Sequence, residues 1–204
     1  MRIRGLYVVT DAGCCREEGW TRVEAALRGG ANMLQLRCKG PHLSLETARR
    51  LVSLGHAFGA PVIVNDDVEL ARASGADGVH LGEGDKSITE ARFALGPHAI
   101  IGASCYASLA RARDAAWQGA DYLAFGSFFP SRTKPQAVRA TPDLLDAARS
   151  LGKPLVAIGG ILPDNAGPLI AAGAVAVAVV DGVFGQDDIA GAARAYQYLF
   201  KEPP

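Results

Sequence analysis

The sequence predicts a (β/α)8 barrel, a single domain over residues 1–204. Two observations carry this expectation. The first is a repeat. "RGGANMLQLR" (28–37), "ASGADGVHLG" (73–82), "WQGADYLAFG" (117–126) and "AAGAVAVAVV" (171–180) each hold a glycine, an alanine, a spacer and an apolar run. The second is the character of the apolar runs, eight in all and nearly continuous, as in parallel strands buried on both faces.

Each element follows in order. "GLYVVT" (5–10) is the first strand. "TRVEAAL" then has helical spacing and runs into Gly29, and a glycine after such a pattern is the expected helix stop. The apolar half of the first repeat is the second strand. "PVIVND" (61–66) is the third and the second repeat the fourth. "HAIIGAS" (98–104) is the fifth, and "SLARARDAAW" is a helix ending at Gly119. The third repeat, "PLVAIGG" (154–160) and the fourth repeat complete the set. An open doubly wound sheet is the alternative, weakened because no glycine-rich dinucleotide fingerprint follows "GLYVVT".

With 204 residues, 49% hydrophobic, the chain can build one well-cored domain. Its 21 basic and 21 acidic residues cancel. That argues against a nucleic-acid or membrane-surface protein, and leaves room for a local anion site. No apolar run reaches the roughly 18 residues of a membrane span. The start lacks the long apolar region of a signal peptide. Cys14, Cys15, Cys38 and Cys105 form no C-x-x-C pair. The expectation is a cytoplasmic protein with reduced thiols and no zinc or redox site.

In a barrel of this kind the active site lies at the C-terminal ends of the strands. Strand two runs into Gln35, Arg37 and Lys39; strand three into Asn65, Asp66 and Asp67; strand four into Glu83 and Asp85. Strand five runs into Ser104 and Tyr106, and strand six into Ser131, Arg132, Thr133 and Lys134. Glycines follow strand seven, and "AVVDGVF" closes strand eight. Two carboxylates with open positions suit Mg2+ shared with a substrate's phosphates. Arg37, Lys39 and Lys134 can take phosphate oxygens, and the late glycine loops can offer backbone N–H groups to a second phosphate. Each residue also has a plainer reading. Asp66 or Asp67 can cap the helix "VELARAS", and Asp85 can cap "KSITEARFAL". His80, inside a strand, reads as a satisfied core residue, while His42, His56 and His98 carry no signal.

Taken together, "QLRCKG", "VNDD", "GADGVHLGEGD", "IGASCY", "FGSFFPSRTK" and "AIGGI" resemble the thiamine-phosphate synthase family along nearly the whole chain. The resemblance implies a (β/α)8 barrel that assembles as a homo-oligomer and acts on small phosphorylated substrates. It implies coupling of hydroxymethylpyrimidine diphosphate to a thiazole phosphate, with loss of pyrophosphate. By motif, Gln35, Arg37, Lys39, Asn65, Ser104 and Lys134 match pyrimidine-diphosphate contacts, with Arg37, Lys39 and Lys134 nearest the chemistry. Asp66 and Asp85 match Mg2+ ligands. Ser131, Thr133, Gly160, Val180 and Asp181 match positions around the thiazole phosphate.

Three positions depart from the family pattern. Cys38 replaces an acid between Arg37 and Lys39, Tyr106 replaces a histidine, and Val180–Asp181 replaces an Ile-Ser pair. An acid beside a phosphate is unfavourable, so the expectation is that Asp181 turns away and the N–H groups of 181–183 bind instead. A thiazole tautomerase on the same barrel is a rival, but it uses a histidine where "GSFF" has Ser127. A non-catalytic binder of thiamine precursors is the other.

Overall fold

The computed structural model describes residues 3–38, 43–130 and 138–200. Eight parallel strands close into a barrel in chain order. They are β1 (Gly5–Val9), β2 (Met33–Leu36), β3 (Val62–Asn65), β4 (Gly78–Leu81), β5 (Ile100–Tyr106), β6 (Tyr122–Phe125), β7 (Leu155–Ile158) and β8 (Ala174–Val179). The register from Gly5–Ala176 to Val8–Val179 closes β1 on β8. Helices connect the strands: α1 (Trp20–Arg28), α2 (Leu45–Ala57), α3 (Val68–Ser74), α4 (Ile88–Leu95), α5 (Leu109–Trp117), α6 (Pro142–Ala148), α7 (Pro163–Ala171), α8 (Asp181–Phe184) and α9 (Ile189–Gln197). The expected (β/α)8 barrel is the observed fold.

The period of two along each strand divides the core in two. Leu6, Val8, Leu34, Leu36, Val62, Val64, Leu123 and Phe125 face outward and pack with the helices. Tyr7, Val9, Met33, Ile63, Tyr122, Ala124, Val156 and Ala178 fill the interior. Burial on both faces is why the strands read as unbroken apolar runs.

The repeat has a structural cause. Its glycines, Gly30, Gly75, Gly119 and Gly173, all have positive φ, which turns the chain sharply from helix into strand. The residue two after the glycine then meets the neighbouring strand. Asn32 Oδ1 accepts the Leu6 N–H (2.9 Å), Asp77 Oδ2 the Val62 N–H (2.7 Å) and Asp121 Oδ2 the Ile101 N–H (2.7 Å). Each polar side chain staples the start of one strand to the start of the next. Asp121 is further held by Arg92 (2.6 Å) and Asp77 by His56 (2.8 Å). The fourth copy has Val175 at this position and no such acceptor. There the β7–β8 register shifts between Leu155 and Val156, and Val175 is part-exposed.

One expectation fails. Cys15 and Cys38 are joined as a disulfide, with Cα atoms 6.1 Å apart, whereas Cys14 and Cys105 are free and buried. The reading of four reduced thiols is therefore corrected. Motif spacing looks for neighbours in the chain, and this pair meets only because the β1 and β2 ends lie side by side.

Candidate active site

At the C-terminal mouth of the barrel lies a cavity of about 450 Å³. The strand ends place Gln35, Arg37, Asn65, Ser104 and Tyr106 in its wall, and the opposite side is formed by Gly159, Gly160, Val180, Asp181 and Gly182. Thr10 anchors the β2 end: its N–H donates to the Gln35 carbonyl (2.9 Å) and its Oγ1 accepts from the Arg37 N–H (2.8 Å). That short link fixes where Arg37 leaves the barrel.

Asp66 and Asp67 divide their roles. Asp67 Oδ1 accepts the Leu70 N–H (2.8 Å) and caps α3, so the capping reading belongs to Asp67. Asp66 sits at φ 66°, a left-handed conformation that a non-glycine residue seldom takes. Its N–H donates to the His80 carbonyl (2.9 Å). The kink brings its carboxyl up to that of Asp85 and near Arg37 and Asn65. Asp85 accepts the Gly82 N–H (2.6 Å). It does not cap α4; Ser87 does, in a capping box with Glu90.

Burial, and then the facing Asp85, push the Asp66 carboxyl up to about 6, while Arg37 and Asn65 pull it down. Two acids facing each other, one exposed and one part-buried, are a poor arrangement without a cation. Their hard oxygen donors fit Mg2+. Among the described residues there is no cluster of three or more His, Cys, Asp or Glu able to hold a metal. Two carboxylates would fill only part of a Mg2+ shell and leave positions open for phosphate and water.

Across the mouth, Gly160 has φ 63° in the turn after β7. Asn165 Nδ2 donates to its carbonyl (3.1 Å). Asp181 opens the four-residue α8. The Val183 N–H donates to the Val180 carbonyl (3.1 Å). That contact narrows the expected anion donors from 181–183 to Asp181 and Gly182.

The family model described as thiamine monophosphate synthase matches residues 6–183. This chain belongs to that family. It is an enzyme, a transferase of thiamine biosynthesis. A thiamine-phosphate synthase of Marinobacter nauticus is 51% identical over 201 residues, covering 96% of this chain and 90% of the relative. That of Methylobacillus flagellatus is 52% identical, covering 97% and 96%. A solved thiamine phosphate pyrophosphorylase from Pyrococcus furiosus superposes with a TM-score of 0.84 at 36% identity, covering 96% and 95%.

Of the residues matched to the thiamine-phosphate synthase pattern, Gln35, Arg37, Asn65, Ser104, Gly160, Val180 and Asp181 converge on one cavity. Asp66 and Asp85 meet beside it, near Arg37. Lys39, Ser131, Thr133 and Lys134 lie outside the described residues. His80, read as a satisfied core residue, is buried and hydrogen-bonded, yet it also lines the cavity. Ser127, which stands where the rival tautomerase has a histidine, lines it too, as do Ile158 and Gln186, which the sequence did not point to. No helix among the described residues is long and apolar enough to cross a membrane.

Proposed function

We propose that this enzyme joins 4-amino-2-methyl-5-hydroxymethylpyrimidine diphosphate to 4-methyl-5-(2-phosphoethyl)thiazole, or its carboxylated form, giving thiamine phosphate and pyrophosphate. The observation that carries the reading is the convergence of Gln35, Arg37, Asn65 and Ser104 on one mouth, with the Asp66–Asp85 pair at its edge. The electron-rich aminopyrimidine lets its methylene–oxygen bond break before the new bond forms. Both bonding electrons leave with the diphosphate, and the thiazole nitrogen then supplies a pair to the cationic carbon. No protein nucleophile is required.

The residues' task is to hold and to neutralise. Asp66 and Asp85 would hold Mg2+, which supplies positive charge to the departing diphosphate. Arg37, with Lys39 and Lys134, is assigned to the same oxygens. Gln35, Asn65 and Ser104 orient the pyrimidine. Gly160 and the N–H groups at 181–182, on the far side of the cavity from Arg37, are assigned to the thiazole phosphate, and Ser131 and Thr133 are assigned to it by motif alone. Tyr106, under the Arg111 guanidinium (5.2 Å), and the apolar wall keep water from the cation. We extend the reading to a homo-oligomer acting in the cytoplasm.

Mixing both substrates with Mg2+ is expected to release pyrophosphate one for one with thiamine phosphate. Isomerisation of the thiazole alone would identify a tautomerase. Binding without turnover would identify a carrier.

The acid pair also predicts a pH response. The Asp66 carboxyl lies above its ordinary 3.8 in the fold, so the protonated form is the one the metal-free fold favours. Its contribution to stability is whole below the unfolded value and is lost as pH rises through about 6. In chelator, the melting temperature of the native protein is expected to fall relative to Asp66→Asn between about pH 4 and 6. Millimolar Mg2+ at pH 7.5 is expected to restore it. Parallel melting curves for the two proteins would refute the pairing.

A further inference from the structure

Inside the barrel a chain of hydrogen bonds crosses from β2 to β5. Gln35 Nε2 donates to Tyr7 Oη (2.8 Å). The Tyr7 and Tyr122 hydroxyls are 2.9 Å apart. Tyr122 Oη lies 2.9 Å from His80 Nδ1, and His80 Nε2 lies 2.9 Å from Ser104 Oγ. Gln35 and His80 are only 4% and 8% exposed, and both tyrosines are fully enclosed. Gly102 makes room for this chain, since a Cβ there would strike the Tyr122 ring. Both ends, Gln35 and Ser104, line the cavity.

Proton accounting gives the chain a direction. Tyr7 Oη receives the Gln35 N–H, so its own proton needs an acceptor, and Tyr122 Oη is in reach. Two hydroxyls cannot donate to each other at once, so the Tyr122 proton goes to His80 Nδ1. A neutral imidazole accepting at Nδ1 carries its proton at Nε2 and donates to Ser104 Oγ. Burial pushes both tyrosine hydroxyls well above their ordinary value, so they stay protonated. At the β5 end, Ser104 accepts from inside and has its own O–H to give outward. At the β2 end, the Gln35 nitrogen is committed inward and the amide meets a ligand through Oε1.

We infer that Tyr7, Tyr122 and His80 are positioning residues that make the cavity an acceptor at Gln35 and a donor at Ser104, and so select an aminopyrimidine over its oxo counterpart. This rests on the proposed function. An exocyclic amino group offers a donor to Gln35 Oε1, and a ring nitrogen accepts from Ser104. The 4-oxo analogue places a carbonyl where the amino group was, oxygen against oxygen. A site left with an unpaired polar group rejects the wrong ligand strongly.

The test compares the amino and 4-oxo pyrimidine diphosphates, with fixed thiazole phosphate and Mg2+. Native enzyme is expected to favour the amino form at least a hundredfold in kcat/KM. Tyr7→Phe and Tyr122→Phe keep the packing but break the chain. They are expected to reduce that ratio tenfold or more, with KM for thiazole phosphate unchanged. A ratio that survives both substitutions overturns the inference. If native enzyme makes no thiamine phosphate, the functional reading fails instead. Independently of activity and of any variant's folding, nitrogen NMR of the labelled native protein is expected to show His80 protonated at Nε2 and bare at Nδ1. The opposite tautomer overturns the relay.

Discussion

Asp66→Asn and Asp85→Asn are each expected to lower kcat/KM by about a thousandfold, on the order of 4 kcal/mol of lost transition-state stabilisation. Asparagine is the informative replacement. It tolerates the left-handed backbone that Asp66 adopts, so the substitution removes charge without adding backbone strain. At position 85 its amide oxygen can still accept the Gly82 N–H. The stability effect should have the opposite sign. In chelator at neutral pH, each variant relieves the repulsion between facing carboxylates and should melt higher than the native protein. Added Mg2+ should stabilise the native protein and leave the variants nearly unchanged. Activity assays with a Mg2+ titration, beside melting curves, check both halves. A variant that keeps near-native rates at low Mg2+ would remove its residue from the metal site.

The second large effect is expected at Gly160→Ala. A Cβ there meets the Pro130 carbonyl oxygen and the Phe129 backbone, and the φ of 63° disfavours any side chain. Backbone strain and the clash together should cost about 3 kcal/mol of stability. The same substitution reshapes the wall assigned to the thiazole phosphate. KM for thiazole phosphate is expected to rise more than tenfold, while KM for pyrimidine diphosphate, held across the mouth, changes little. Steady-state kinetics with each substrate varied in turn checks this, together with urea unfolding. An equal rise in both constants would place Gly160 in the scaffold alone.

Much of this site was legible because barrel geometry converts chain position into place. Once eight strands are recognised, whatever follows each one arrives at the same mouth. That logic brought Gln35, Arg37, Asn65, Ser104 and Gly160 to one cavity before any coordinates. It could not find the interior chain. Tyr7, Tyr122 and His80 meet through the register of strands far apart in the sequence, and no local pattern encodes it. The Cys15–Cys38 bond was missed for the same reason. Either Asp66 or Asp67 could cap α3 on residue type alone; the motif gave Asp67 to the helix start and Asp66 to the metal, and the cap is indeed Asp67. The fifth strand, expected at 98–104, begins at Ile100 and continues to Tyr106, following its pairing with β6 and not its own hydrophobicity.

The uneven repeat bears on how the barrel is built. Three of its four quarters are pinned by a side chain at the floor, and the fourth, β7–β8, is not. The scaffold therefore has a seam. Above that seam stand Gly159, Gly160 and the start of α8, the elements that face one of the two proposed anions. The pinned quarters carry Arg37, Asp66 and Asp85, the groups assigned to the departing diphosphate and its metal. The unpinned quarter carries the wall assigned to the thiazole phosphate. Proteins commonly draw such yielding elements from their least secured parts. Here that economy is written into a single valine, Val175, where the other three copies keep a hydrogen-bond acceptor.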